Sequence, residues 1–275
     1  MKVAIIGVGL IGGSMAVALR EKNIATTIIG VDANEKHQQM ALELNLVDSI
    51  MDLDNAIEKA DLIILAIPVD KAIGLLPQIL SKVNKQVVMD VGSTKSNVCG
   101  VANSKRFVAT HPMWGTEFSG PAAAVSGAFV DKAVVICNKE NTDADALSMV
   151  EELYKNLGMH IIYMEAAAHD LHAAYVSHIS HITSFALANT VLEKEREDDA
   201  IFELASGGFE STVRLAKSNP DMWVPIFMQN KENLLDVLNE HISQLRKFKS
   251  CLEKENYEYL AELIQKANTI SRILK

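Results

Sequence analysis

Apolar residues along this 275-residue chain fall into two regimes. Up to about residue 164, short solid runs of Val, Ile and Leu alternate with stretches whose apolar positions recur at helical spacing. The runs at 3–6, 27–31, 62–67, 86–90, 106–110, 133–137 and 160–164 are predicted strands. Between them, 11–22, 35–44 and 144–157 carry helical patterns. Strands alternating with helices imply a doubly wound, largely parallel sheet. Runs with no polar alternation suit strands covered on both faces.

After Met164 the pattern changes. No convincing strand follows, and long helical stripes take over. Leu171, Tyr175, His178, Ile182 and Phe185 form one stripe. Phe227, Leu234, Leu238, Ile242 and Leu245 form a second, and Leu260, Leu263, Ala267, Ile270 and Leu274 a third. Pro220 and Pro225 punctuate the region. The expected fold class is therefore α/β: a Rossmann-type domain at 1–164 followed by an all-α domain at 165–275. A helical half of this kind exposes apolar surface when alone. It either packs on the sheet domain or forms a homodimer.

Composition narrows the class. Hydrophobic residues make up 49% of the chain, enough for a full core, and charged residues 22%. The net charge of −9 disfavours nucleic acid, which needs clustered cations. Cys99, Cys137 and Cys251 are scattered, with no metal-binding spacing. Reduced thiols in a cytoplasmic protein are the expectation. No segment approaches ~20 uninterrupted apolar residues, and the N-terminal apolar run is too short for a signal peptide.

The first strand runs straight into Gly7-Val8-Gly9-Leu10-Ile11-Gly12, which opens the first helix. In that setting the pattern is a dinucleotide fingerprint. One glycine makes the tight turn, the next admits a pyrophosphate, and the last lets helix and strand pack closely. Asp32 ends the second strand, 20 residues after Gly12. It either caps the following helix or accepts from ribose hydroxyls. The latter role favours NAD over NADP. Ala66, Ile67 and Pro68 close another strand and form a candidate cofactor wall.

The candidate chemistry lies beyond later strand ends, where ligands of open α/β sheets bind. Ser93, in Val91-Gly92-Ser93, is either a helix cap or a crevice residue. His111 leaves its strand at the head of His111-Pro112-Met113-Trp114-Gly115-Thr116-Glu117. It is a structural histidine or a proton acceptor. Asp170 precedes Ser177-His178-Ile179-Ser180-His181, where the two histidines share a helix face. They line a crevice or hydrogen-bond in the core, and no metal site is expected. Arg214 lies in an uncharged run and is either salt-bridged or a clamp for a substrate carboxylate.

In this order the motifs resemble the prephenate/arogenate dehydrogenase family of tyrosine biosynthesis. The matching segments are Gly7–Gly12, Val91-Gly92-Ser93, His111–Gly120, Ser177–His181, Gly207-Gly208-Phe209 through Arg214, Asn219–Trp223 and Asn230–Asn233. The resemblance implies NAD-dependent oxidative decarboxylation of a cyclohexadienyl substrate by a homodimer that pairs through its helical domain. His111 would take the ring-hydroxyl proton, with Ser93 orienting the same hydroxyl. Arg214 would hold a carboxylate and Glu117 gate or position it. His178 and His181 would line the substrate pocket, with Asp170 in support. A second histidine at position 181 goes with prephenate users in the family. The chain is expected to carry no fused regulatory or mutase domain, so tyrosine feedback would act at the catalytic site or the dimer interface.

Two rivals remain. Another two-domain NAD enzyme would commonly place a lysine or aspartate on the long interdomain helix. Here that helix carries Asp170, His178 and His181, and no lysine before Lys194. A non-catalytic NAD sensor would not need Ser93, His111 and Arg214 together.

Overall fold

The computed structural model describes residues 1–195 and 202–273. Eight strands form one sheet: β1 (Lys2–Ile6), β2 (Thr27–Val31), β3 (Ser49–Ile50), β4 (Leu62–Leu65), β5 (Val87–Asp90), β6 (Phe107–Pro112), β7 (Ala133–Cys137) and β8 (His160–Met164). Their spatial order is β3-β2-β1-β4-β5-β6-β7-β8. Every pairing is parallel except β6 with β7. The expected doubly wound sheet is present, with a reversal at β7.

That reversal corrects one expectation. His111 does not leave its strand; it lies inside β6. Pairing of β6 with parallel β5 ends at Ala109. Antiparallel β7 takes over, matching Thr110 with Ile136, His111 with Val135 and Pro112 with Val134. Pro112 lacks an N–H, and at the last ladder position that loss is tolerated. The two-residue β3 escaped the sequence reading because it is too short for any periodicity.

Alternation along the strands divides the core. Val3 and Ile5 face one apolar layer with Leu62, Ile64, Val87, Met89 and Tyr154. Ala4 and Ile6 face the other with Ile63, Leu65, Val88, Leu76 and Ile79. The outer strand β8 is mostly exposed, which is why its run is the most polar-tolerant of the set.

The chain forms two compact units, Met1–Asn230 and Lys231–Lys275. In the first, the helix Ala166–Ala173 passes through a π turn at Ala174–His178 into the helix Ile179–Glu195. Such turns rotate the faces of a helix relative to its ends. The first predicted stripe is accordingly split: His178 is buried, while Leu171 and Tyr175 are exposed. The second unit contains the helices Lys231–Glu253 and Tyr257–Asn268. Within it, Leu234 is buried, but Leu245 and Ile270 of the predicted stripes are exposed. Leu274 lies outside the described residues.

Candidate active site

The glycine loop is built for close approach. Gly7 sits at φ +93, and a Cβ there would come within 2.4 Å of the Ala66 carbonyl oxygen. At Gly12 a Cβ would lie 1.9 Å from the Gly7 carbonyl oxygen. Only glycine fits either position. Around Gly9 the space within 4 Å is open, so nothing in the chain fills the place where a pyrophosphate would meet the backbone. Asp32 ties this loop to β2. Its carboxylate accepts from Val8 N at 3.0 Å and from Asn34 N at 2.9 Å. The helix that follows is capped by Asn34 instead, whose side chain accepts from Lys36 N. These residues fit a dinucleotide: open space at Gly9, a helix N-terminus at Leu10, and a carboxylate at the end of β2.

A cavity of about 460 Å³ opens from this loop across the ends of the central strands. Gly9, Leu10 and Ile11 line it at one end, with the Ala66-Ile67-Pro68 wall. Ser93, His111, Trp114, Glu117, His181, Arg214 and Trp223 line the rest. Gly7, Gly12 and Asp32 lie outside its lining. Trp114 also packs edge-on against Phe129, with ring centroids 5.7 Å apart.

Ser93 does not cap the helix that follows it. That helix, Ser96–Val101, is held by Asp170, whose carboxylate accepts from Lys95 N at 2.7 Å and Ser96 N at 2.8 Å. His178 is not part of the cavity lining, contrary to expectation, and Asp170, expected in support, lies outside it too. Each is turned into the protein by the helix that carries it. Asp170 is 3% exposed, and its carboxyl is also hydrogen-bonded by His169. Burial pushes its pKa up, but the bonds from His169, Ser96 and Lys95 outweigh this and leave it below the ordinary value. His178 packs edge-on against Trp223 and Phe227, and Asn230 Nδ2 lies 3.1 Å from its Nδ1. Burial lowers its pKa to about 4. His181 does face the cavity, stacked on Trp223 at a centroid distance of 3.4 Å.

Arg214 is paired. Its guanidinium donates to Glu117 Oε2 at 2.9 Å, and its side chain remains about half exposed. A substrate carboxylate reaching Arg214 must share or displace Glu117. The Glu117 carboxyl is held below its ordinary pKa by its own backbone amide and then by Arg214.

Beneath His111 lies a buried polar network that sequence reasoning missed. Lys95 is fully buried; its Nζ is hydrogen-bonded to Asp90 Oδ2 and donates to the Thr110 carbonyl at 2.6 Å. His169, 2% exposed, lies with Nε2 2.8 Å from His111 Nδ1 and Nδ1 2.9 Å from Asp170 Oδ1. Burial, then the neighbouring His169, Lys95 and His178, push the His111 pKa well below its ordinary value. Lys95 carried no sequence signal, because an isolated lysine in a loop is ordinarily solvated. His169 had one: it and Asp170 interrupt an otherwise alanine-rich helical turn.

Comparison with known proteins settles the family. The profile described as "Prephenate dehydrogenase, nucleotide-binding domain" matches residues 15–163, and "Prephenate dehydrogenase, dimerization domain" matches 165–266. The chain belongs to the prephenate dehydrogenase family. It is 31% identical to the prephenate dehydrogenase of Bacillus subtilis over 92% of this chain and 71% of that protein. It is 30% identical to the cyclohexadienyl dehydrogenase of Zymomonas mobilis, over 99% and 96%. The crystal structure of the A. aeolicus prephenate dehydrogenase with hydroxyphenyl propionate and NAD+ superposes with a TM-score of 0.91 at 30% identity, covering 100% of this chain and 98% of that one. Among the described residues no group of side chains is arranged to hold a metal ion, and no helix is long and apolar enough to cross a membrane.

Proposed function

We propose that this protein is an NAD-dependent prephenate dehydrogenase, converting prephenate to 4-hydroxyphenylpyruvate and carbon dioxide on the way to tyrosine. The observation that carries this is one cavity running from the glycine loop to Ser93, His111 and Arg214 in a member of this family. NAD, when bound, supplies the hydride acceptor. Gly9, Leu10 and Ile11 would hold its pyrophosphate, Asp32 its ribose hydroxyls, and Ala66-Ile67-Pro68 would wall it in. The charge on Asp32 opposes a 2′-phosphate, which favours NAD over NADP.

In the reaction His111 takes the proton of the ring hydroxyl as hydride departs from the same carbon. The ring carboxylate leaves as carbon dioxide; its bonding electron pair enters the ring, giving an aromatic phenolate that recovers the proton from His111 as the 4-hydroxyphenyl product. A histidine whose pKa lies below its ordinary value is neutral, and so able to accept, at physiological pH. Ser93 orients the hydroxyl. Arg214 holds a carboxylate once released from Glu117, and His181, braced on Trp223, lines the pocket near the side chain. Asp170 and His178 support the site from the interior. The presence of His181 favours the pyruvyl side chain of prephenate over the amino-acid side chain of arogenate.

We also place a functional division near residue 164, where the two family profiles meet. A homodimer built through the helical part fits the exposed Leu245, Leu252, Tyr257 and Ile264. All three cysteines are free, which supports a reducing compartment, the cytoplasm.

A substrate panel tests the reading. Purified protein is offered prephenate or arogenate with NAD or NADP, and reduced cofactor is followed by absorbance. The expected result is turnover with prephenate and NAD. Turnover of arogenate alone would reverse the substrate assignment, and binding of NADH without any turnover would overturn the enzymatic reading.

A further inference from the structure

We propose that His169 is a positioning residue that fixes the tautomer of His111, with Asp170 as the anchor of a directed hydrogen-bond relay. The inference rests on the reading of His111 as proton acceptor, but its physical content is independent of any substrate.

The direction of the relay follows from its buried end. Asp170 receives backbone N–H groups from Lys95 and Ser96 at 2.7 and 2.8 Å. An amide N–H can only donate, so the carboxylate accepts at both oxygens, and ionised it has no hydrogen to give. His169 Nδ1, 2.9 Å from Asp170 Oδ1, must therefore carry a hydrogen. A neutral imidazole holds one hydrogen, so His169 Nε2 is then an acceptor. His111 Nδ1 lies 2.8 Å from that nitrogen and must donate to it. The lone pair of His111 is thereby confined to Nε2, the nitrogen turned away from His169. Only that tautomer can take a proton from a ligand in the cavity that His111 lines.

The setting holds this direction. His169 and Asp170 are 2% and 3% exposed, so water is kept from competing for either bond. Asn230 Nδ2 donates to the Asp170 carbonyl at 2.6 Å and fixes that end of the helix. The rings of His111 and His169 meet at 69°, with centroids 5.0 Å apart, so their contact is edgewise through nitrogen rather than stacked. Without His169, the Nδ1–H form of His111 would lose its partner. The Nε2–H tautomer, which presents a donor to the cavity, would then gain population.

The test combines tautomer and turnover in three proteins: wild type, His169→Phe and His169→Gln. Phenylalanine fills the site without an acceptor. Glutamine can place an amide oxygen near the lost Nε2 and so restore an acceptor for His111. Protein labelled with 15N-histidine is examined by long-range 1H–15N NMR at about pH 8, with His111 assigned through His111→Asn. Wild type and His169→Gln should show His111 as the Nδ1–H tautomer, and His169→Phe a mixture or the reverse. In the same order kcat with prephenate and NAD should be high, largely rescued, and reduced at least about tenfold. The bound is the about 10²–10⁴-fold that a general base contributes. KM should change little. An Nε2–H His111 beside a doubly protonated His169 in wild type would overturn the relay. So would an unchanged tautomer in His169→Phe. Should His169→Phe fail to fold, the wild-type and His169→Gln spectra still decide the direction. Absence of prephenate turnover in wild type with the expected tautomer would instead strike only the proposed activity.

Discussion

The most quantitative consequence of this structure concerns acid stability, and it lies in His178. The ring is 1% exposed and wedged edge-on between Trp223 and Phe227. Its Nε2 is buried with no hydrogen-bond partner. Protonating it in place would put a cation in an apolar pocket, and burial accordingly lowers its pKa from 6.5 to about 4, the nearby Asp170 only partly opposing this. The unfolded chain still takes up that proton near 6.5. Between these two values the unfolded state binds more protons than the folded one, so stability rises with pH. The stabilisation is complete above the unfolded pKa, is lost as pH falls from there, and levels off below about 4. The gap corresponds to about 3 kcal/mol, of which about 2 kcal/mol is lost between about pH 7.5 and about pH 5. Urea unfolding of wild type and His178→Asn at both pH values measures this. The asparagine keeps an oxygen near the position of Nδ1 for Asn230 and cannot titrate. It will be less stable at every pH because it leaves a gap, so the difference in slope, not in level, is the readout. Stability should fall by about 2 kcal/mol more in wild type than in the variant. Equal slopes, or a folded-state His178 titrating near 6.5 by NMR, would refute the reasoning.

Other outcomes follow from the site. His111→Asn should lower kcat by about 10²–10⁴-fold while KM changes little; near-wild-type turnover would remove His111 as base. The acid limb of kcat/KM should fall below pH 6.5, because the depressed pKa of His111 keeps it neutral and competent there. A limb at or above 6.5 would contradict the buried network around it. Arg214→Gln should raise KM for the substrate about tenfold to 10²-fold with a smaller effect on kcat, since a charge-assisted contact is removed; unchanged KM would sink the clamp. Asp32→Ser should narrow the preference for NAD over NADP by removing the charge that opposes a 2′-phosphate, read from the ratio of kcat/KM values.

Much of the fold was legible because its signals are local. Seven strands announce themselves as apolar runs, and the glycine loop joins strand to helix within a few residues. The reversal at β7 was not legible. Strand direction is decided by the connection between β6 and β7 and by register, neither of which leaves a periodic trace. His111 is affected directly: it lies inside β6 because antiparallel β7 extends the ladder past Ala109. The helical stripes misled in another way. Leu171 and Tyr175 fit the spacing of a regular helix, but the π turn at Ala174–His178 rotates them away from His178.

The site shows the same division between local and distant information. Ser93, His111, His181 and Arg214 could each be picked out, but each beside an ordinary structural role, and Glu117 only through the family motif; the cavity brings the five together. What could not be read was which polar groups would meet. Asp170 stood out only as an acid upstream of the Ser177–His181 motif, yet its partners are the amides of Lys95 and Ser96, more than 70 positions away. His169 meets His111 across a separation of 58 residues. The buried Asp90–Lys95 pair lies within five residues, but nothing local says that the loop folds inward. A reactive side chain at the rim of a cavity is marked by its own type and neighbours. The buried groups that set its tautomer and protonation state are marked only by the fold. In this protein Asp170 joins the two: it caps the Ser96–Val101 helix behind Ser93 and anchors the relay behind His111. Removing its carboxylate would therefore disturb both groups assigned to the substrate hydroxyl, which is why the informative substitution is at His169, whose loss breaks the relay and leaves the cap in place.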